Sequence, residues 1–299
     1  MFPSDLGQLM TRGEIEKTVK PIIRECLRKF GDYSRPDISP EEFAVEIADE
    51  LRPDVRRVSL LISLTKSVAG DELAGKGLEL GCGYGYLLFP MAKFNPNVQW
   101  TGIEHPGRRY FDRADFQQAF RDYNCSLAGL DFVHEPLPFS DQYFSVVTFS
   151  ETLEHLPVER LNFVLAEISR VLRPGGILIA SSPNQAGLEN RVRLLKGGSI
   201  LDLPDHMKVA KGIFGHIRLY TPAEMAYMMS QLGFRVERLA MESNNSTYRG
   251  KSEKSMYRRM YRLYEHAEQR LWFLRSLADT WYFVFRKDAL GPQGMGGNS

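Results

Sequence analysis

The stretch Leu78-Glu79-Leu80-Gly81-Cys82-Gly83-Tyr84-Gly85 constrains this chain more than any other: an apolar strand runs into three glycines spaced one residue apart, with a helical pattern behind them. Glycine serves where the backbone must take a positive φ or let a ligand approach without an intervening Cβ, and the helix that follows aims unpaired N–H groups at that ligand. The segment therefore reads as a nucleotide-cofactor loop. Its G-x-G-x-G spacing departs from the G-x-G-x-x-G of dinucleotide dehydrogenases, and no phosphate-cradling G-x-x-x-x-G-K-[ST] occurs. Further on, a second apolar strand, Val98 to Ile103, ends in Glu104, placed to accept hydrogen bonds from ribose hydroxyls.

Around this loop, strands alternate with helices. Strand patterns are expected over Lys76 to Leu80, Val98 to Ile103, Asp131 to His134, Phe144 to Phe149 and Ile177 to Ser181. A helix from Pro222 to Leu232 leads through Gly233 into a strand at Phe234 to Met241, and Thr280 to Arg286 reads as the last strand. Such alternation means an α/β fold whose mostly parallel sheet is covered on both faces. Three helical patterns, near Arg12 to Phe30, Pro40 to Leu51 and Pro53 to Ala69, precede the sheet as an N-terminal helical cap over 1–70, the last two opening on proline in the first turn. The main domain then covers 71–287 and carries two helical insertions.

One insertion, 183–221, lies just past the carboxyl end of a parallel strand, where α/β folds bind ligands, and is expected to be a substrate lid. The other, 246–278, contains a helix whose residues Tyr257, Met260, Tyr264, Ala267, Leu271 and Leu274 alternate spacings of three and four. Packing on its own domain accounts for that seam; a homodimer contact or a partner groove is the alternative. Residues 288–299 are too rich in glycine to pack and are expected to form a disordered tail.

Composition narrows the function classes. With 299 residues the chain can bury a full core. Lys+Arg 38 against Asp+Glu 37 leaves no overall charge that points to nucleic acid. Cys26, Cys82 and Cys125 form no CxxC or ligand pair, which fits a reducing compartment, and neither a signal sequence nor about eighteen uninterrupted apolar residues occur, so a cytoplasmic location is expected. The six histidines form no HxH, HxxxH or Cys/His constellation, and no metal site is expected.

Three further motifs in register with the loop carry a resemblance. Leu137-Pro138-Phe139-Ser140-Asp141 with Phe144-Ser145-Val146-Val147, Ser150-Glu151-Thr152-Leu153-Glu154-His155-Leu156, and Arg170-Val171-Leu172-Arg173-Pro174-Gly175-Gly176 join it over roughly residues 75 to 240. In these the chain resembles the class I S-adenosylmethionine-dependent methyltransferases. The resemblance implies a Rossmann-like seven-stranded sheet, mostly parallel, whose antiparallel last strand slots between the fifth and sixth. It implies S-adenosylmethionine as cofactor and S-adenosylhomocysteine as product. Glu79, Gly81, Cys82, Gly83 and Gly85 should then contact the donor's methionine part, Glu104 its ribose, and His105 the same pocket, with Ser150 and Glu151 as further neighbours. The family's acidic residue after the third strand is not in its usual place, since the chain reads Phe132-Val133-His134-Glu135-Pro136, and Glu135 is its substitute. Tyr84 and Tyr86 either close over the donor or simply pack.

Methyl transfer from a sulfonium asks mostly for alignment, since the leaving group is already activated. A general base is needed only where the acceptor loses a proton, as a hydroxyl does. His155 and His216 are the candidates; in relatives the first also orients its loop. The lid resembles that of methyltransferases of sugar, glycolipid or surface-polysaccharide synthesis, so the expected reaction is methyl transfer to oxygen of a small-molecule or glycan-like acceptor. Arg191, Arg193, Lys196, Lys208 and Lys211 either meet an anionic group on it or form a solvated face. The run Arg249, Lys251, Lys254, Arg258, Arg259 and Arg262 either rests on an anionic membrane, through 249–277, or only solubilises its helix. No [DN]-P-P-[YF] segment or RNA-binding module accompanies these features, so nucleic acid is not an expected partner. The competing readings are a catalytically silent donor-binding scaffold and, behind it, a nicotinamide dehydrogenase.

Overall fold

The computed structural model describes residues 11–30, 52–70, 73–201, 216–243 and 276–289. The chain divides into two compact units, Met1–Leu130 and Asp131–Ser299.

In the first unit, helix α1 (Arg12–Phe30) buries Ile15, Val19, Ile22, Ile23, Cys26 and Phe30, a stripe at helical spacing that faces α2 (Arg52–Ala69). The expected helix at 40–51 lies outside the described residues. Strand β1 (Gly75–Leu80), helix α3 (Leu88–Phe94), strand β2 (Val98–Glu104), helix α4 (Ala114–Asp122) and strand β3 (Cys125–Gly129) follow. The strands run in the order β3-β2-β1, both pairs parallel, with Leu80 opposite Ile103 and Glu104 opposite Gly129. Phe30 meets Phe116 of α4 edge to face at 5.2 Å, so the N-terminal helix belongs to this unit's core.

Strand β3 corrects the expectation of a strand at Asp131 to His134. The strand is Cys-Ser-Leu-Ala-Gly, and its small residues carry little strand signal. At Gly129 the neighbours are close: a Cβ there would lie 2.7 Å from the Phe111 ring. The more apolar Asp131-Phe132-Val133 instead forms a turn, with the N–H groups of His134 and Glu135 donating to the Asp131 carbonyl.

In the second unit, β4 (Phe144–Ser150) leads through a short 3₁₀ turn, Leu153–His155, to α5 (Val158–Val171), β5 (Leu172–Pro183), α6 (Leu188–Leu195), α7 (Pro222–Gln231), β6 (Phe234–Glu242) and β7 (Thr280–Lys287). Their order is β4-β5-β7-β6, with β4 and β5 parallel and β7 antiparallel to both its neighbours, as expected for the last strand. Six consecutive buried residues in β4 and in β7 mark strands covered on both faces. The described residues form seven strands flanked by helices on both sides, a Rossmann-like fold.

Local chemistry explains the joints. Thr221-Pro222-Ala223-Glu224 closes a capping box on α7, where Thr221 Oγ1 accepts from the Glu224 N–H and Glu224 Oε2 from the Thr221 N–H. Lys287 Nζ donates to the Ser169 and Leu172 carbonyls, satisfying the C-terminal end of α5. Asp288 is held as well, its N–H donating to the Gly233 carbonyl and its carboxylate meeting Arg235; of the expected disordered tail, 290–299 lie outside the described residues.

Candidate functional site

In the first unit the glycine loop grows out of β1. The N–H groups of Gly81 and Cys82 donate to the Ile103 carbonyl, extending the β1–β2 pairing into the loop. The Cys82 carbonyl then accepts from Gly85, and that of Gly85 from Phe89, which starts the helical backbone. Gly81, Gly83 and Gly85 all take positive φ. Two of these glycines are required for different reasons. At Gly85 a Cβ would lie 2.5 Å from the Phe89 ring, so packing demands the glycine; at Gly83 the nearest atom to a Cβ is 3.9 Å away, which leaves the loop's outer surface open.

Glu104 ties this loop to β2. Buried at the strand's end, it accepts from the Gly83 N–H at 2.8 Å with Oε2, and from the His105 N–H at 2.8 Å and Arg108 Nε at 3.3 Å with Oε1. A carboxylate offers about four lone-pair sites, so three such bonds leave capacity for a ribose hydroxyl. His105 accepts from the Gly107 N–H through Nδ1, which places its proton on Nε2. Behind the loop, Glu79 is buried and its Oε2 has no hydrogen-bond partner. Burial pushes its carboxyl well above the usual carboxylate range, with Arg57 pulling the other way and Glu104 adding repulsion. The remaining side chains pack: the Cys82 thiol is buried against Gly102, Tyr84 leans on Tyr110 at 4.7 Å, and Arg57 lies over the Tyr86 ring.

The second unit holds the other candidates. Glu151, just past β4, sits at φ 52°, a left-handed conformation that a side-chain-bearing residue adopts only when its surroundings enforce it. The enforcement comes from β5: the Glu151 N–H donates to the Ser181 carbonyl, and Ser181 Oγ reaches Glu151 Oε1 at 2.8 Å and Ser150 Oγ at 2.7 Å. In the following 3₁₀ turn, Glu154 is buried and accepts from Ser182 Oγ at 3.0 Å. Its carbonyl accepts from the N–H groups of Ile217 and Arg218, and this brings His216 beside His155, with ring centroids 5.2 Å apart. The two candidate bases, distant in sequence, are therefore neighbours.

Glu135 is exposed and lies in the turn that follows β3. Because β3 ends at Gly129, the acidic residue that follows it directly is Asp131, which the misplaced strand concealed. Its carboxylate accepts from the Val133 N–H and pairs with His134 Nδ1 at 2.8 Å. Among the cations of the 183–221 segment, Arg193 pairs with Glu189 and Arg191 donates to the Ala186 carbonyl; Lys208, Lys211 and the basic run at 249–262 lie outside the described residues. The two ends of the 183–221 segment are stitched down by Asn184, whose Nδ2 donates to the Ala278 carbonyl, and by Trp281 Nε1 on the Tyr220 carbonyl. No helix among the described residues is long and apolar enough to cross a membrane.

A family model described as a methyltransferase domain matches residues 50–239. A phthiotriol/phenolphthiotriol dimycocerosates methyltransferase of Mycobacterium ulcerans is 32% identical over 154 residues, covering 50% of this chain and 51% of that protein. A fatty-acid O-methyltransferase of Mycolicibacterium smegmatis is 29% identical over 153 residues, covering 50% and 51%. The chain thus spans about half the length of these curated relatives. Among solved structures, magnesium protoporphyrin IX methyltransferase from Synechocystis PCC 6803 with bound SAH is similar in fold, with a TM-score of 0.52 at 14% identity, covering 93% of this chain and 98% of that one.

Proposed function

This chain belongs to the methyltransferase-domain family, and on that premise we propose that it is an S-adenosylmethionine-dependent enzyme that methylates an oxygen of a small-molecule, sugar or glycolipid acceptor. The observation that carries the reading is the Gly83–Glu104 hydrogen bond, which fixes an open glycine loop against a buried acidic strand end. The residues fit this donor. A buried carboxylate oxygen on Glu79 without a partner suits an ammonium group, and Glu104 retains acceptor capacity for a ribose. Asp131, rather than Glu135, is the acidic residue we assign to the adenine amino group, because it follows β3 directly.

When bound, the sulfonium donor supplies an activated methyl group and departs as a neutral thioether. The first unit contributes orientation of the donor through Glu79, Glu104 and the loop; in the second, His155 and His216 are the side chains we assign to an acceptor's proton. Oxygen as the target is supported by the fatty-acid O-methyltransferase among the relatives, and a small acceptor by the lipid-type names of both curated relatives.

Calorimetric titration with S-adenosylmethionine and S-adenosylhomocysteine tests the reading. Saturable binding is expected for both, weakened severely by Glu104→Ala and less by Glu104→Gln, which keeps an acceptor for the Gly83 N–H. Absence of binding to well-folded protein would replace the enzyme by a silent scaffold.

A further inference from the structure

We propose that Glu154, His155 and His216 form a binding site for one divalent first-row transition-metal ion, a role deeper than the proton handling proposed above and resting on that reading for its chemical purpose. One potential ligand atom from each of the three lies within 4.8 Å of the other two. Three atoms so spaced share a centre within about 2.8 Å of each, from 4.8 divided by the square root of three; metal–nitrogen and metal–oxygen bonds run to about 2.0–2.2 Å, so closure asks less than about 1 Å of each side chain.

The donor set is chemically apt. Two imidazoles and one carboxylate on the same side of a site, with positions left over, suit divalent Mn, Fe, Co or Zn, whereas a hard ion such as Mg²⁺ prefers oxygen alone. The supports are also in place. Ser182 Oγ holds Glu154 Oε2, while Oε1 lies 3.9 Å from His155 Nε2. A hydroxyl on the outer carboxylate oxygen is the kind of partner that orients metal ligands. The paired N–H groups of Ile217 and Arg218 on the Glu154 carbonyl fix the chain next to His216, so the distant ligand is positioned by backbone. Glu154 is buried, whereas both histidines are half-buried, which leaves the ion a way in from solvent.

An ion here would accept the acceptor's hydroxyl oxygen in an open position and lower its pKa. Histidine nitrogens engaged by a metal take no proton, so the pair would act through the ion and not as a free base.

The test uses the full chain, stripped with chelator and titrated with Co²⁺, read by visible d–d absorption, and with Mn²⁺, read by loss of the free-ion EPR signal. One equivalent of each should bind. His216→Ala and His155→Ala should weaken binding by about a hundredfold or more, and Ser182→Ala by roughly 10–100-fold. No saturable binding of either ion to wild-type protein that melts cooperatively, or equal binding by wild type and both histidine variants, overturns the site. Titrating the same samples with S-adenosylhomocysteine separates the two claims: donor binding without metal binding defeats only the metal site, and metal binding without donor binding defeats only the methyltransferase reading.

Discussion

Glu79 is where donor binding and pH meet. Its carboxyl, raised by burial, favours the protonated form in the folded state. The group therefore supports the fold fully below its unfolded pKa of 4.5, and that support is lost as pH rises toward the folded value. Glu79→Gln removes the titration, so the variant's urea-denaturation midpoint should gain on wild type as pH rises from about 5 to about 8. A donor ammonium beside Glu79 reverses the shift, and binding should expel a proton. Calorimetric heats of S-adenosylmethionine binding should then vary with the ionisation enthalpy of the buffer; identical heats in phosphate and Tris would show that no cation meets this carboxyl. The loop glycines separate in the same way. Gly83→Ala should cost roughly 1–2 kcal/mol for its φ and disable donor binding, whereas Gly85→Ala adds a collision with Phe89 and should cost roughly 3 kcal/mol or more.

At the scale of elements, Arg170 explains two motifs at once. From the end of α5 it donates to the Leu137 and Phe139 carbonyls, Asp141 and Glu167, so the Leu137–Asp141 segment and the Arg170–Gly176 turn are the two sides of one joint. Arg170 holds the Glu167 carboxyl below its usual range, and Glu167 in turn accepts from the Leu137 N–H. Arg170→Ala should cost roughly 2–4 kcal/mol by leaving these groups unmet, while Arg173→Ala, at an exposed position, should stay within about 0.5 kcal/mol; urea denaturation of the two variants makes the comparison. The Thr221 cap is a smaller term, about 1 kcal/mol on Thr221→Ala.

For the whole molecule, a donor product that binds only the folded chain must raise the melting temperature with the logarithm of its concentration, by about 2.7 kcal/mol of stability at a hundred times its Kd. A melting midpoint indifferent to S-adenosylhomocysteine would contradict the proposed cofactor. Much of this molecule was legible beforehand because the signals are local. The apolar runs at 76–80, 98–103 and 144–149 and the helical pattern at 12–30 each repeat at a strand or helix period, and each formed where its pattern lay. The glycine loop and Glu104 were readable for the same reason, being a turn and the strand end beside it. Strand β3 was not, since Ser126, Ala128 and Gly129 carry little strand preference, and at Gly129 the Phe111 ring leaves no room for a Cβ; with it went the place of Asp131. The meeting of Glu154, His155 and His216 is likewise absent from any local spacing. It depends on a left-handed residue after β4, on serines of β5, and on two N–H groups closing on one carbonyl, contacts between segments far apart in the chain. Sequence by itself determined most of the elements, the glycine loop and the family, because periodicity and turn chemistry act between neighbours; tertiary structure alone decided where β3 lies and which distant side chains meet, because only packing brings them together.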